Sequence, residues 1–395
     1  MISVTEARDF IKSVIKPLNV TSLPILACKG LTLASDIYSM YDAPSFRQSS
    51  MDGYAFKFKD LTGYIKLKLV GTIAAGDSNS YSIGDGQAMR VFTGAPIPIG
   101  SDTVVMQEKV TTRDGFIEIS DESLTYGINV REAGSELQKN KLVLSKGELI
   151  KTRTIGFLAG LGIDMIKVYP PPSVSIIITG NELLNPGDPL VHGKVFESNS
   201  YTLTSVLKEM NILDINVLYA QDDLMSLTKI LSDAVSSSDV VLLTGGVSVG
   251  DYDFVLKAAE NNGLQYVYHK IAQKPGKPMY FGIKEDTYIF GLPGNPGSVL
   301  TCFYMYVEYA LGIMMNRKSL LIPSKAKLNQ DYKTSPSLTH FLKGKLNGDH
   351  VTLLDAQESY RLKSFAEADC LIVLPPRPSG IYSKNEEVEI QILNG

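Results

Sequence analysis

The middle of the chain alternates between two textures, and that alternation is what most limits the fold. "SVSIIIT" (173–179), "INVLYA" (215–220), "VVLLT" (240–244) and "TYIFGL" (287–292) are apolar runs of strand length. Between and after them come "SNSYTLTSVLKEM", "DDLMSLTKILSDAV", "YDFVLKAAEN" and "PGSVLTCFYMYVEYAL", with apolar residues at helical spacing. A solid apolar run suits a strand covered on both faces. Strands alternating with helices predict a doubly wound, mostly parallel α/β domain over residues 173–315.

In such a sheet, ligands bind beyond the carboxyl ends of the strands. The first run is followed by Gly180-Asn181-Glu182, the second by Gln221-Asp222-Asp223. The third is followed by Gly245-Gly246-Val247-Ser248-Val249-Gly250-Asp251-Tyr252-Asp253, and the fourth leads into Pro293-Gly294-Asn295-Pro296. If the strands are parallel, these loops converge into a glycine cradle flanked by Glu182, Asp222 and Asp253. Glycines after a strand let backbone N–H groups close around an anion. Carboxylates beside an anion are compatible with it when a hard divalent cation lies between them. Mg2+ takes carboxylates together with phosphate oxygens and waters. The loop is not a P-loop, because Asp251-Tyr252 stands where Lys-[Ser/Thr] is required. One such loop is as well explained by a turn that tightens a strand–helix junction. Several loops at strand ends weaken that explanation.

Positive charge is expected from "HKIAQKPGKPMYFG", where Lys270, Lys274 and Lys277 surround a Pro275-Gly276 turn. Lysines in a restrained turn offer point charges to phosphate or another oxyanion. Taken alone, the cluster reads more readily as solvated surface lysines.

Bulk properties exclude several classes. The 395 residues exceed one ordinary core and predict several domains. A net charge of −4 argues against a general nucleic-acid binder. Cys28, Cys302 and Cys370 lie far apart, which sets aside a disulfide framework or zinc ribbon. Charges interrupt the first residues, so no secretory signal is read there. Ser3 and Glu6 predict a capping box opening a helix. No stretch reads as a membrane span, and a cytoplasmic protein is expected.

Residues 45–140 hold short strand-like segments separated by Gly, Asp and Ser, the pattern of a β-rich domain. Residues 1–44 and 141–172 read as a linking αβ region that ends in Pro170-Pro171-Pro172. Residues 316–395 return to strand-like segments and predict a small C-terminal β domain. In the β-rich part, Asp52 precedes a glycine in "SSMDGYAF", and Thr93 opens a turn in "RVFTGAPIPIG". Each alone reads as turn chemistry.

Together, "SSMDGYAF", "AAGD", "RVFTGAPIPIGSDTVVMQE", "NVREAGSEL", "TGNEL", "SDVVLLTGGVSVGDYD", "KIAQKPGKP" and "GLPGNPGS" resemble the molybdopterin molybdenumtransferase (MoeA) family, which includes the E domain of gephyrin. The resemblance runs in order to about residue 300 and is looser beyond, at "FAEADCLIVLPP". It implies an enzyme of molybdenum cofactor biosynthesis that inserts molybdenum from molybdate into adenylylated molybdopterin (molybdopterin-AMP), with Mg2+ and release of AMP. It also implies an elongated homodimer with active sites shared between subunits, and a molybdopterin adenylyltransferase upstream. By position, Glu182, Asp222 and Asp253 would be the acidic, metal-binding groups, and Lys270, Lys274 and Lys277 the basic wall. Thr244, Gly245, Gly246, Ser248 and Gly250 would cradle phosphate, and Pro293 and Pro296 would shape the adjoining loop. Asp52, Thr93 and Glu136 would enter from the β-rich domain. Glu136 stands where the family has aspartate, and Asn181 replaces an aspartate before Glu182. The rivals are molybdopterin adenylylation on the same α/β fold and a non-catalytic molybdopterin-binding scaffold. The β-rich motifs speak against the first, and the retained acids and lysines against the second.

Overall fold

The computed structural model describes residues 1–63, 66–246 and 254–393. The chain folds into two compact units, one of residues 1–34, 147–152 and 165–395, the other of residues 35–146 and 153–164.

The larger unit is organised by a six-stranded sheet. Its elements are β1 (Val174–Thr179), α1 (Asn199–Glu209), β2 (Ile215–Ala220), α2 (Leu224–Ser237), β3 (Val240–Thr244), α3 (Val255–Asn261), β4 (Gln265–His269), β5 (Tyr280–Lys284), β6 (Thr287–Leu292) and α4 (Pro296–Met314). The strand order is β2-β1-β3-β6-β5-β4. The first four strands are parallel, β5 runs antiparallel to β6, and β4 runs antiparallel to β5. Every residue of β1 and β3 is buried, as the solid apolar runs require. On one face Ile177, Val241, Leu243 and Ile289 pack against Leu227, Leu231, Ala258 and Ala259 of the helices.

Register decides where the loops emerge. Thr179 pairs with Ala220, Ile178 with Thr244, and Thr244 with Leu292. The carboxyl ends of β1, β2, β3 and β6 are therefore level, and the loops after them leave from one rim.

One local feature differs from the sequence reading. The antiparallel pair β4–β5 fills the span between α3 and β6, where only a lysine-bearing turn before a strand is expected. In addition, α4 spans 19 residues and is apolar enough to cross a membrane by length and composition. Its most apolar window is 83% buried inside the protein, which marks it as a core helix. Hydrogen bonding within α4 widens to a π turn over Phe303–Val307. At the N-terminus, Ser3 and Glu6 close the expected capping box on the helix Val4–Val14.

The C-terminal part builds its own sheet from Ile322–Leu328, Thr339–Asn347, His350–Leu353, Cys370–Leu374 and Glu387–Ile392. The strand Thr339–Asn347 pairs on both sides, with His350–Leu353 and with Cys370–Leu374, so the sheet closes into a barrel. Leu328, Val351, Ile372 and Leu374 fill its interior.

The smaller unit carries a six-stranded sheet in the order Thr103–Met106, Gly53–Phe56, Gln87–Val91, Leu67–Ile73, Phe116–Ile119 and Val110–Arg113. Adjacent residues such as Ala55 and Phe56, or Val104 and Val105, enter separate apolar clusters. Both faces of the sheet are thereby buried.

Candidate functional site

At the level rim of the parallel strands lies a cavity of about 790 Å³. Its lining includes Thr179, Gly180 and Glu182 after β1, Asp222 after β2, Thr244, Gly245 and Gly246 after β3, and Pro293 to Pro296 after β6. Glu182, Asp222, Thr244, Gly245, Gly246, Pro293 and Pro296 thus meet in one place. Ser248, Gly250 and Asp253 lie outside the described residues, so the third acid and part of the cradle are not described.

The backbone around Gly245 explains why the cradle needs glycine. Its φ is +88°, and an added Cβ would lie 2.6 Å from the Thr179 hydroxyl oxygen. That hydroxyl donates to the Thr244 carbonyl at 3.1 Å, while Gly245 N–H donates to the Leu292 carbonyl at 3.1 Å. The turn is thus sewn to the ends of β1 and β6. Only a residue without a side chain fits there.

The electrostatics of the two acids are uneven. Burial and the nearby charge of Glu182 push the Asp222 carboxyl above its ordinary value. Its neighbour Asp223 is occupied as the N-cap of α2, accepting from Ser226 N–H at 2.8 Å. Among the described residues no group of three or more His, Cys, Asp and Glu side chains could hold a metal ion. Of the three acids expected from the sequence, Glu182 and Asp222 are described and line the cavity.

The basic residues line no part of the cavity themselves. Lys270 is half-buried with φ +76°, Lys274 and Lys277 are exposed, and Pro278 of the same segment does line the cavity. The segment is closed by Ile271 N–H donating to the Lys277 carbonyl at 2.9 Å.

Asp52, Thr93 and Glu136 belong to the smaller unit. The Asp52 carboxylate accepts from both the Thr93 amide at 2.7 Å and the Thr93 hydroxyl at 2.9 Å. Those bonds hold its carboxyl below the usual range. Glu136 lines a separate concavity of about 710 Å³ with Asp42, Arg131 and Ser135, and neither Asp52 nor Thr93 lines it.

Several cavity residues were invisible to motif reading. Glu197, 3% exposed, lines the cavity and accepts from the Ser200 amide at 2.8 Å and the Ser200 hydroxyl at 2.5 Å. It caps α1 in place of Ser198, whose side chain makes no capping bond. A Glu-x-x-Ser before a helical run was the available signal. Asn199 donates to the Gly294 carbonyl at 2.9 Å, and its Oδ1 has no partner among the described residues. Tyr360 and Leu362 of the C-terminal part also line the cavity. They are placed by Ser359, which takes hydrogen bonds from Asn295 Nδ2 at 2.9 Å and Gly297 N–H at 2.8 Å. No local signal marks such long-range contacts.

An α/β sheet with a small-molecule cavity at its strand ends, joined to a closed β barrel and a second β-rich unit, defines a multidomain doubly wound protein. Relatives make the class specific. Family models match residues 2–162 as the MoeA N-terminal region (domain I and II), 175–312 as a probable molybdopterin binding domain, and 325–393 as the MoeA C-terminal region (domain IV). A molybdopterin molybdenumtransferase of Haemophilus influenzae is 32% identical over 403 residues, covering 100% of this chain and 99% of its own. One from Staphylococcus aureus is 32% identical over 354 residues, covering 87% and 84%. The crystal structure of the molybdopterin biosynthesis MoeA protein from Pyrococcus horikosii superimposes with a TM-score of 0.83 at 29% identity, over 100% of both chains. The chain belongs to the molybdopterin molybdenumtransferase (MoeA) family.

Proposed function

We propose that this transferase of molybdenum cofactor biosynthesis inserts molybdenum from molybdate into adenylylated molybdopterin, releasing AMP in a Mg2+-dependent step. The observation that carries the reading is the meeting of Glu182 and Asp222 with the Thr244–Gly246 cradle in one cavity. Two carboxylates of like charge, one with its proton affinity raised by burial and by the other, suit a hard divalent cation. Glu182 and Asp222 would hold Mg2+, with Asp253 the further candidate. Bound there, the ion would neutralise charge on a phosphate.

The remaining roles fall to the chain itself. Thr244, Gly245 and Gly246, with Ser248 and Gly250 beyond the described residues, form the phosphate cradle, in which Gly245, its N–H spent on the Leu292 carbonyl, shapes the turn. Pro293 and Pro296 keep the adjoining loop in shape, and Pro296 opens α4 at its first turn. Lys270, Lys274 and Lys277 supply the positive charge that the acidic rim lacks, and Lys274 and Lys277 form the niche for the molybdate dianion. Tyr360 gives the cavity an aromatic wall against which a planar ring can lie. Asp52, Thr93 and Glu136 complete the site from the β-rich domain of a second subunit. The reading makes the enzyme a cytoplasmic homodimer, supplied with substrate by a molybdopterin adenylyltransferase.

Single-turnover release of AMP from molybdopterin-AMP tests this directly, with Mg2+ and with or without molybdate or tungstate. Release stimulated by the oxyanion supports the reading. No release under any of these conditions overturns it.

A further inference from the structure

The lysine turn rests on side chains that the proposed chemistry does not use. Gln273 is 1% exposed, immediately before the turn, and Tyr306 is 0% exposed in α4. Gln273 Nε2 donates to the carbonyls of both Pro275 and Gly276, at 3.1 Å each. Gln273 Oε1 accepts from the Tyr306 hydroxyl. The orientation of the amide is dictated by its partners: two backbone carbonyls can only accept, so the NH2 end must face them. Burial holds the Tyr306 phenol far above its ordinary pKa, so it stays an O–H donor.

The rest of the turn is equally fixed. Gly276 has φ +81°, and an added Cβ would overlap the Cys302 sulfur beneath it. On the opposite side Gln273 and Lys274 pair in parallel with Thr339 and His340, and Thr339 N–H donates to the Ala272 carbonyl at 2.9 Å. Tyr306 belongs to the π turn Phe303–Val307, a distortion that recurs at functional sites.

We propose that Gln273 and Tyr306 are positioning residues, a buried amide–phenol clamp that presets the backbone carrying Lys274 and Lys277 for a tetrahedral oxyanion. This rests on the reading of those lysines as the molybdate niche. Charges that need no reorganisation stabilise an anion best. The clamp fixes the Cα positions while the ammonium groups stay exposed to ligand.

The test titrates sodium molybdate into the full-length protein by calorimetry, for wild type, Tyr306→Phe, Gln273→Met and Lys277→Ala. Tyr306→Phe strands a buried amide oxygen, and the expected result is molybdate affinity weakened roughly tenfold. In turnover this appears as a raised KM for molybdate at near-constant kcat. A lowered melting temperature with unchanged molybdate affinity would mean a merely structural role and overturn the clamp. Affinity lost in Lys277→Ala but kept in both clamp variants also overturns it, while leaving the lysine niche standing. Equal affinity in wild type and Lys277→Ala removes the niche, and the clamp with it.

Hydrogen exchange on the wild-type protein decides the matter if the variants fail to fold or molybdate alone binds too weakly. Amides of 270–279 exchanging as slowly as those of α4 support the clamp. Exchange as fast as in the exposed 185–194 segment overturns it.

Discussion

Asp52 and Asp222 are both candidate site carboxylates, and their surroundings are opposite. Asp52, in the β-rich unit, has its charge answered within its own unit by the amide and hydroxyl of Thr93. Asp222, at the end of β2, has the charge of Glu182 nearby and is partly withdrawn from water, and both effects raise its proton affinity. The first carboxylate is complete as it stands. The second is in a place that suits a cation, and the fold tolerates it at a cost. Function is better sought where a group is left incomplete than where its hydrogen bonds are satisfied.

The largest effect should come from Asp222→Asn. The substitution keeps shape and removes one of the charges proposed to hold Mg2+. Single-turnover AMP release should fall on the order of 100-fold or more, the loss typical of removing a charge-stabilising group. A variant within threefold of wild type would dissolve the contrast with Asp52.

The same residue makes a signed prediction about stability. Below pH ~4, near the ordinary aspartate value, the carboxyl is protonated in both folded and unfolded chains and contributes nothing. As pH rises from there through the raised folded value, the fold loses stability on this group's account. Asp222→Asn should therefore melt higher than wild type at pH 7, by an increment that shrinks toward pH ~4. Mg2+ should raise the melting temperature of wild type and leave Asp222→Asn unmoved. Thermal melts at two pH values, with and without Mg2+, check both statements.

Asp52 should behave in the reverse sense. Its lowered carboxyl stabilises the Thr93 turn above the ordinary aspartate value, and that contribution is lost as pH falls through the lower folded value. Asp52→Ala should speed hydrogen exchange of the Thr93 amide about tenfold, as expected for one lost hydrogen bond. Thr93→Val removes only the hydroxyl bond and should disturb the turn less, because the backbone amide is the larger cause of the shift. Equal effects from the two variants would show that the hydroxyl carries the interaction.

How much of this was readable beforehand follows from the range of each interaction. β1 and β3 announce themselves because burial on both faces leaves only apolar residues, and the loops after them carry their glycines and acids in sequence. β4 and β5 do not, since "QYVYH" and "YFGIK" are short, mixed in polarity and separated by the lysine turn. Glu182, Asp222 and the Thr244–Gly246 cradle are local motifs brought together by strand register, which parallel topology implies. Glu197 acts through a hydrogen bond to Ser200 that no standard motif encodes. Tyr360 reaches the cavity because Ser359 is bonded to Asn295 and Gly297, more than 60 residues earlier in the chain. The clamp beneath the lysines joins Gln273 to Tyr306 through a π turn, a backbone irregularity with no signature in residue type.

Lys343 carries the smallest expected effect and the sharpest use of the comparison, because it is incomplete without lying in the cavity. It is 1% exposed, and its Nζ has no hydrogen-bond partner among the described residues. The ammonium lies 5.6 Å from the centre of the Phe365 ring. Burial pulls its pKa down to about 8, with Glu358 opposing the shift and Arg361 adding to it. From that value up to ~10.5 the unfolded chain holds the proton more tightly than the folded one, so stability should rise with pH across this window. Lys343→Met keeps the alkyl volume and removes the buried amine, and should stabilise the protein at pH 7 by on the order of 1 kcal/mol. The gain should fade as pH approaches ~10.5. The Tyr360 loop is tied to Lys343 through its backbone, which Gln357 grips at N–H (3.0 Å) and C=O (2.8 Å), so the substitution leaves that tie in place. AMP release should then stay within about twofold of wild type, in the range of a substitution away from the chemistry. A stabilised variant with unaltered turnover would show that an incomplete charge outside the cavity costs stability and returns nothing, unlike Asp222. A variant that loses turnover while gaining stability would instead make Lys343 part of the site.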